Sequence, residues 1–285
     1  MMKKILLLFL LVFCFASTAL ANGQITLLSR SVDEGPIKGV IPEVDGINDE
    51  NMQKSINGVL KMRAYELARE LPAECVVSYN QLLDKTSVFS VVLKATTGDR
   101  TLYKAVNIDV TTGKECILSD FFRDKEGFER VLDGYEDIAL DDSGVYTRSE
   151  KYSVYDKFVP YATLLRFVDI GEAGRFLTVH KITKASAGAA LHIKAGELVA
   201  IKLDSNRSTG YTWEIGAESK SAGLLEIGTS YLMPGGKDNS ALGAMGTDII
   251  VIGTDKTGSI PVKLNYKRQW EKYPVSSIQF ELIVE

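Results

Sequence analysis

The chain has 285 residues, of which 45% are apolar and 25% are charged, enough to bury the cores of one or two globular domains. Its net charge of −4 at pH 7 argues against a nucleic-acid partner, because binding to phosphates requires a basic surface. The sequence has only two histidines, His180 and His192, and it has neither clustered metal ligands nor the motifs of phosphate-binding loops or hydrolase nucleophiles. It therefore predicts no metal, no cofactor and no enzymatic activity.

The first 21 residues have the features of a secretory signal peptide. Lys3 and Lys4 supply the positive region, an apolar run extends from Ile5 to Ala16, and Ala19-Leu20-Ala21 is a small-residue cleavage site. The apolar run is too short for a mature membrane span, and no later segment reaches about 18 unbroken apolar residues. We expect a mature chain that begins at Asn22, has no membrane span after cleavage, and is secreted or periplasmic. A retained signal anchor is the alternative.

Residues 22–184 have the pattern of an α+β domain, an antiparallel meander with a packed helix. Asn48-Asp49-Glu50 offers a helix cap, and apolar residues then recur at helical spacing until Pro72. Ser119-Asp120 can cap a second, short helix. Between the two helices lie three strand-like runs separated by glycine-containing turns: Cys75 to Tyr79, Val88 to Ala95 and Leu102 to Val110.

Two cysteines, Cys75 and Cys116, remain if the signal peptide is removed. In an oxidising compartment such a pair is compatible with a disulfide that closes a loop of about forty residues. Two buried thiols fit the sequence nearly as well, so both alternatives stand at this point.

The segment from Val88 to Phe122 carries a family resemblance that covers about residues 45 to 180. Thr111-Thr112-Gly113-Lys114-Glu115, followed by Leu118-Ser119-Asp120-Phe121-Phe122, is similar to a family of bacterial envelope proteins. That family includes accessory domains of peptidoglycan deacetylases and the outer domains of lysozyme-sensing anti-sigma factors. The resemblance implies a non-catalytic domain that binds an envelope glycan, lysozyme or another envelope partner.

The composition changes at Lys184 to Ala190, a run of small residues that predicts a linker and a domain boundary between residues 184 and 185. From there to Glu285 apolar residues alternate with period two in seven or so short runs, separated by turn residues. Such a pattern is typical of an all-β immunoglobulin-like sandwich. Trp213 is expected in its core, where an indole removes a large apolar area from water.

Three segments of this C-terminal domain form a recognisable series. They are Asn206-Arg207-Ser208-Thr209-Gly210-Tyr211 with Trp213, then Gly243-Ala244-Met245-Gly246-Thr247, then Arg268-Gln269-Trp270. Taken singly, the first two are ordinary turns and the third is a surface cation–π pair. In this order they resemble the three loops of the chagasin family, immunoglobulin-like inhibitors of papain-like cysteine peptidases.

The resemblance implies a role for each loop. The first would enter the active-site cleft with Ser208 and Thr209 at its tip, and the second would lie along the non-primed side. Arg268, Gln269 and Trp270 would cover the primed side. Arg207 and Gln269 stand where the family has proline, and loss of a compatible proline costs about 0.4–1 kcal/mol through the free-loop ensemble.

Met245 stands where the family has glycine, and methionine can add an adaptable apolar contact. The sequence thus predicts a secreted inhibitor of papain-like cysteine peptidases. The alternative is a non-catalytic envelope-binding protein that acts through its N-terminal domain.

Overall fold

The computed structural model describes residues 25–85, 87–116, 121–132, 137–148, 150–169, 171–233 and 245–285. The signal peptide and Ser119-Asp120 lie outside these residues, so both remain predictions. Within the described residues, no helix combines the length and the apolar character needed to cross a membrane.

The N-terminal domain is built on a six-stranded sheet in which the strands follow one another in chain order. All neighbours are antiparallel except β2 and β3, which pair in parallel. The strands are β1 (Thr26–Glu34), β2 (Ile37–Asp45), β3 (Cys75–Asp84), β4 (Val88–Thr97), β5 (Arg100–Asp109) and β6 (Lys114–Glu115).

Helix α1 (Glu50–Arg69) packs across this sheet, as predicted. The side chain of Asp49 accepts hydrogen bonds from the N–H groups of Asn51 and Met52 at the start of α1, where helical N–H groups have no partner within the helix. Ile56, Leu60, Ala64 and Leu67 form its buried stripe and pack against apolar residues of the strands. The predicted α+β fold of this domain is confirmed.

The structure does not join Cys75 to Cys116, so the disulfide alternative is wrong. Cys75 begins β3 at the level of Thr97 and Arg100, whereas the N–H of Cys116 bonds to the carbonyl of Asn107 on β5. Seven residues along a strand correspond to roughly 20 Å. A disulfide needs Cα atoms within about 7 Å, so the sheet itself keeps the two sulfurs apart.

A second, smaller sheet follows, which the sequence analysis did not predict. Asp137 and Arg148, which begin and end its first hairpin, form a 3.0 Å ion pair, and the Arg148 side chain is almost fully buried. The elements of this region are α2 (Lys125–Leu132), β7 (Asp137–Leu140), β8 (Gly144–Arg148), β9 (Lys157–Pro160), α3 (Tyr161–Leu164) and α4 (Ala173–Phe176).

The C-terminal domain is the predicted β-sandwich. One sheet has the order β10-β12-β15-β14 and the other has the order β11-β17-β16-β13. Trp213 lies in the core between them, as expected. The elements are β10 (Val179–Thr183), β11 (Ala190–Ile193), β12 (Leu198–Ser205), β13 (Thr212–Ile215), α5 (Ala217–Ser221), β14 (Leu224–Leu232), β15 (Gly246–Thr254), β16 (Gly258–Lys267) and β17 (Ser276–Val284).

The sandwich begins before the boundary that the sequence suggests. Strand β10 lies N-terminal to Lys184, yet it pairs in parallel with β12 from Val179↔Leu198 to Thr183↔Lys202. Residues 184–189 are therefore a crossover from one sheet of the sandwich to the other, and not an interdomain linker. Small residues suit both kinds of connection, which is why composition alone could not distinguish them.

The two domains share a hydrophobic cluster. Leu198, Ala200, Ile227 and Val251, on one sheet of the sandwich, pack with buried residues that precede it in the chain, such as Leu165. Polar contacts reinforce the packing, since a guanidinium nitrogen of Arg123 donates to the carbonyl of Ile227 at 3.0 Å. The N-terminal domain is thus packed directly against the sandwich.

Candidate functional site

Three connections meet at one end of the sandwich. The strand registers bring their ends together, since Ser205 pairs with Gly246 in one sheet and Thr212 pairs with Lys267 in the other. The N–H of Asn206 donates to the hydroxyl of Tyr266 at 2.8 Å and so ties the two sheets at this end. The connections are the first loop (206–211), the second loop (233–245) and the third loop (268–275).

The first loop is a single tight turn. Residues Arg207–Thr209 form a 3₁₀ turn closed by Thr209 N–H to Asn206 carbonyl at 3.1 Å and by Gly210 N–H to Arg207 carbonyl at 3.0 Å. Ser208 and Thr209 are exposed at its tip, and their hydroxyls donate back to Asn206 at 2.6 Å each. These bonds give the loop an ordered shape without any partner.

Gly210 is required where the first loop meets the third. Its φ of +81° is in the left-handed region, which other residues rarely adopt. A Cβ atom at this position would also lie 3.1 Å from the indole of Trp270. Glycine at this position therefore allows both the tight turn of the first loop and its close approach to the third loop.

Arg268 joins the first and third loops. Its Nε donates to the carbonyl of Thr209 at 2.9 Å, and its guanidinium carbon lies 4.5 Å from the ring centroid of Tyr211. Gln269 and Trp270 follow at the surface, and 74% of Trp270 is exposed. The structure therefore brings together the residues predicted from the first and third segments.

Three aromatic rings pack together beneath these loops. The ring centroid of Tyr266 lies 5.3 Å from that of Tyr211 and 5.0 Å from that of Trp213. The indole N–H of Trp213 donates to the carbonyl of Asp204 at 2.9 Å, which satisfies the polar end of a buried ring. The loops thus rest on a packed base and not on a flexible stem.

The second loop is described only at its ends. Gly243 and Ala244 lie outside the described residues, so their predicted roles are untested. Met245 is 58% exposed, whereas Gly246 is buried as the first residue of β15 and Thr247 is half-buried. A Cβ atom on Gly246 would collide with the phenol of Tyr231 on β14, so glycine allows these two strands to approach closely.

The sequence analysis missed a buried carboxylate beneath the loops. Asp248 accepts hydrogen bonds from Nε of Arg207 at 2.8 Å and from the backbone N–H of Trp213 at 3.4 Å. Nη2 of Arg207 lies 2.7 Å from the same carboxylate, and the Asp248 side chain is only 3% exposed. An acidic residue in the otherwise apolar β15 was a visible signal, but its partner could not be identified from the sequence.

Several apolar side chains that the sequence did not point to are exposed around the three loops. Six of the eleven large exposed apolar side chains among the described residues lie at or beside these loops, whereas such residues are normally scattered singly over a soluble protein. Beyond Met245 and Trp270, this group comprises Leu232, Met233, Tyr273 and Val275.

No group of three or more His, Cys, Asp or Glu side chains in the described part of the chain could hold a metal ion. The site instead offers a tight turn, exposed aromatic and aliphatic side chains and arginines held in fixed positions. Loops clustered at one end of a sandwich and exposed aromatic and arginine side chains are features typical of protein-binding surfaces.

Comparisons with known proteins identify the module. Residues 192–284 match the protein-family model described as chagasin family peptidase inhibitor I42. Chagasin of Trypanosoma cruzi is 39% identical over 94 residues, which cover 32% of this chain and 83% of chagasin. The chain therefore belongs to the chagasin family of peptidase inhibitors. Both the family assignment and the prediction that the chain is not an enzyme are confirmed, because the family consists of inhibitors.

Two solved structures are also similar to parts of the chain. The cysteine protease inhibitor EhICP2 of Entamoeba histolytica has 27% identity and a TM-score of 0.33, and the match covers 38% of this chain and 96% of EhICP2. A member of the duf3298 family from Bacteroides fragilis has 13% identity and a TM-score of 0.35, and the match covers 52% of this chain and 96% of that protein.

Proposed function

We propose that the C-terminal sandwich reversibly inhibits papain-like cysteine peptidases by placing its three loops across the active-site cleft. The observation that carries the proposal is the fixed arrangement of the first and third loops. Arg268 bonds to Thr209, and Gly210 contacts Trp270, so the two loops form one surface before any partner binds. A preformed surface loses little conformational entropy on binding.

The first loop has the right properties to enter a narrow cleft. Its tip carries the small side chains of Ser208 and Thr209, both exposed. The carbonyls of Asn206 and Arg207 accept hydrogen bonds within the turn, so the backbone is curled and not extended like a bound strand. We therefore infer that the loop can cover the catalytic cysteine without presenting a scissile peptide bond in a cleavable conformation.

The apolar side chains around the loops supply contact area on both sides of the tip. Trp270 and Met245 would bury large apolar surfaces against the cleft walls, and tryptophan is among the residues that most often dominate protein interfaces. An interface of about 1,600 Å² is expected, with the affinity determined by such anchors and not by area alone.

Titration of papain with the full mature chain tests the proposal. We expect competitive, reversible inhibition, with the inhibitor recovered uncleaved by mass spectrometry. Thr209→Arg should raise the inhibition constant at least about tenfold, because a long side chain at the tip cannot pass between the cleft walls. Lys256→Ala, in the exposed turn at the opposite end of the sandwich, is the matched control and should inhibit like the parent.

Two outcomes would contradict this function. One is a folded parent chain that fails against papain and several related peptidases. The other is a Thr209→Arg variant that inhibits as well as the Lys256→Ala control, which would show that the tip does not enter the cleft.

We also propose that the chain is exported and cleaved after Ala21. The support is the sequence pattern of residues 1–21, a positive start, an apolar run and a small-residue site. N-terminal sequencing of material outside the cytoplasm should begin at Asn22, and recovery of an intact Met1 in a membrane fraction would contradict cleavage. Envelope binding by the N-terminal domain stays a prediction, which pull-downs with peptidoglycan and lysozyme would test.

A further inference from the structure

The strongest unassigned feature near the loops is the buried carboxylate of Asp248. Its side chain is 3% exposed, and it receives two nitrogens of the Arg207 guanidinium at 2.8 and 2.7 Å. A charge removed from water requires a charged, hydrogen-bonded partner, and loss of that partner is strongly destabilising. Arg207 comes from the first loop, so the neutralisation of Asp248 depends on how that loop is folded.

The same guanidinium also contacts the strand on the other side of Asp248. Tyr231 on β14 is the cross-strand neighbour of Asp248 on β15, and its ring centroid lies 4.7 Å from the guanidinium carbon of Arg207. Arg207 is thereby held by a carboxylate and an aromatic ring at once. Tyr231 precedes the second loop and Asp248 follows it, so Arg207 ties the first loop to both strands that carry the second.

Asp248 contacts both sides of the first loop. Its Oδ1 binds Arg207, at the start of the 3₁₀ turn, while its Oδ2 accepts the N–H of Trp213, just beyond the turn. One buried side chain therefore holds the entry and the exit of the loop. The exposed tip, Ser208 and Thr209, lies between these two anchor points.

We propose that Arg207 and Asp248 form an ion-pair clamp that fixes the first loop in its inhibitory conformation. The inference rests on the proposed inhibition of papain-like peptidases and deepens it, because both residues act by positioning the tip. A proline could restrict the loop by fixing φ at position 207, whereas here the restriction comes from a side chain bound to a buried carboxylate. A clamped loop loses less conformational entropy on binding, because it is already ordered in the free protein.

Three variants of the full mature chain test the clamp against papain. Arg207→Gln and Asp248→Asn each remove the ion pair and should raise the inhibition constant about tenfold through a less ordered loop. The double variant Arg207→Pro/Asp248→Asn has neither charge but regains a fixed φ at the first position of the turn, whose two closing bonds do not use the N–H of residue 207. It should recover to within about threefold of the parent.

Hydrogen exchange supplies a readout that does not depend on inhibition. The amides of Thr209 and Gly210, which close the turn, should exchange faster in Arg207→Gln and Asp248→Asn and return toward the parent rate in the double variant. Lys220→Gln, which breaks an exposed ion pair with Glu226, is the control and should change neither quantity.

The outcomes separate the two proposals. A parent that does not inhibit papain refutes the proposed function. If the parent inhibits but the single variants match it in inhibition and exchange, the clamp alone is refuted. A double variant as weak as Asp248→Asn would also overturn the clamp, because the loss would then arise from missing contacts and not from loop order.

Discussion

The two tryptophans of the chain differ sharply in environment, and this difference indicates which of them is available to bind a partner. Trp213 is buried, with its indole N–H bonded to a backbone carbonyl. Trp270 is 74% exposed and lies against the first loop and Arg268. Exposure of so large an apolar ring is unfavourable in a free protein, which supports an interface role for Trp270.

Replacement of Trp270 by alanine should therefore weaken inhibition without weakening the fold. We expect the free energy of binding to papain to become less favourable by about 2 kcal/mol or more, because a buried hot-spot side chain would be lost from the complex. The inhibition constant would rise accordingly. The melting temperature should not change, since the ring is mostly in water in the free protein.

Leu28→Ala is a matched control, because it removes another exposed apolar side chain in the N-terminal domain, far from the loops in the chain. It should inhibit like the parent. Equal inhibition constants for the Trp270→Ala and Leu28→Ala variants would show that the third loop lies outside the interface.

At the element scale, strand β10 determines where the inhibitory domain can be cut. It supplies the edge neighbour of β12, and Ile182 contributes a buried side chain to the sandwich core. A fragment that starts at residue 185 lacks both. A fragment that starts at residue 179 keeps both.

The longer fragment should therefore be the more stable one. We expect the free energy of unfolding of residues 179–285 to exceed that of residues 185–285 by at least about 2 kcal/mol, the value of burying one isoleucine. Urea denaturation followed by tryptophan fluorescence measures the difference. Equal stability would mean that β10 contributes nothing to the sandwich.

Much of this architecture could be predicted where the signal is local. The cap at Asp49 and the period-two pattern of the sandwich depend on neighbouring residues, and both α1 and the sandwich were predicted correctly. Two other features depend on residues that are distant in the chain: the pairing of β10 with β12 in the sandwich, and the ion pair of Arg207 with Asp248. Neither feature produces a periodic pattern of residues in the sequence, so only the three-dimensional structure revealed them.

At the scale of the whole molecule, the hydrophobic cluster shared by the two domains leads us to expect that they unfold as one cooperative unit. Leu165 is fully buried and lies close to Leu198 and Gly253 of the sandwich. Unfolding of one domain alone would expose the apolar surface of the shared cluster to water, which is unfavourable and should couple the unfolding of the two domains. The mature chain should accordingly show one calorimetric transition and not two.

The Leu165→Ala variant tests this coupling. It should destabilise the whole chain by about 2–5 kcal/mol, as other large-to-small core substitutions do, and shift the single transition to lower temperature. Two separate transitions, of which only one moves, would show that the domains unfold independently.

The position of the shared cluster has a consequence for how this inhibitor can diversify. Leu198 and Leu225, which belong to this cluster, lie at the end of their strands opposite to the loops, so part of the contact with the N-terminal domain lies away from the proposed peptidase-binding end. Substitutions at well-separated sites usually have additive effects on stability. Selection could therefore retarget the loops to new peptidases while the interdomain core stays unchanged, and protein engineers could vary the loops in the same way without disturbing the N-terminal domain.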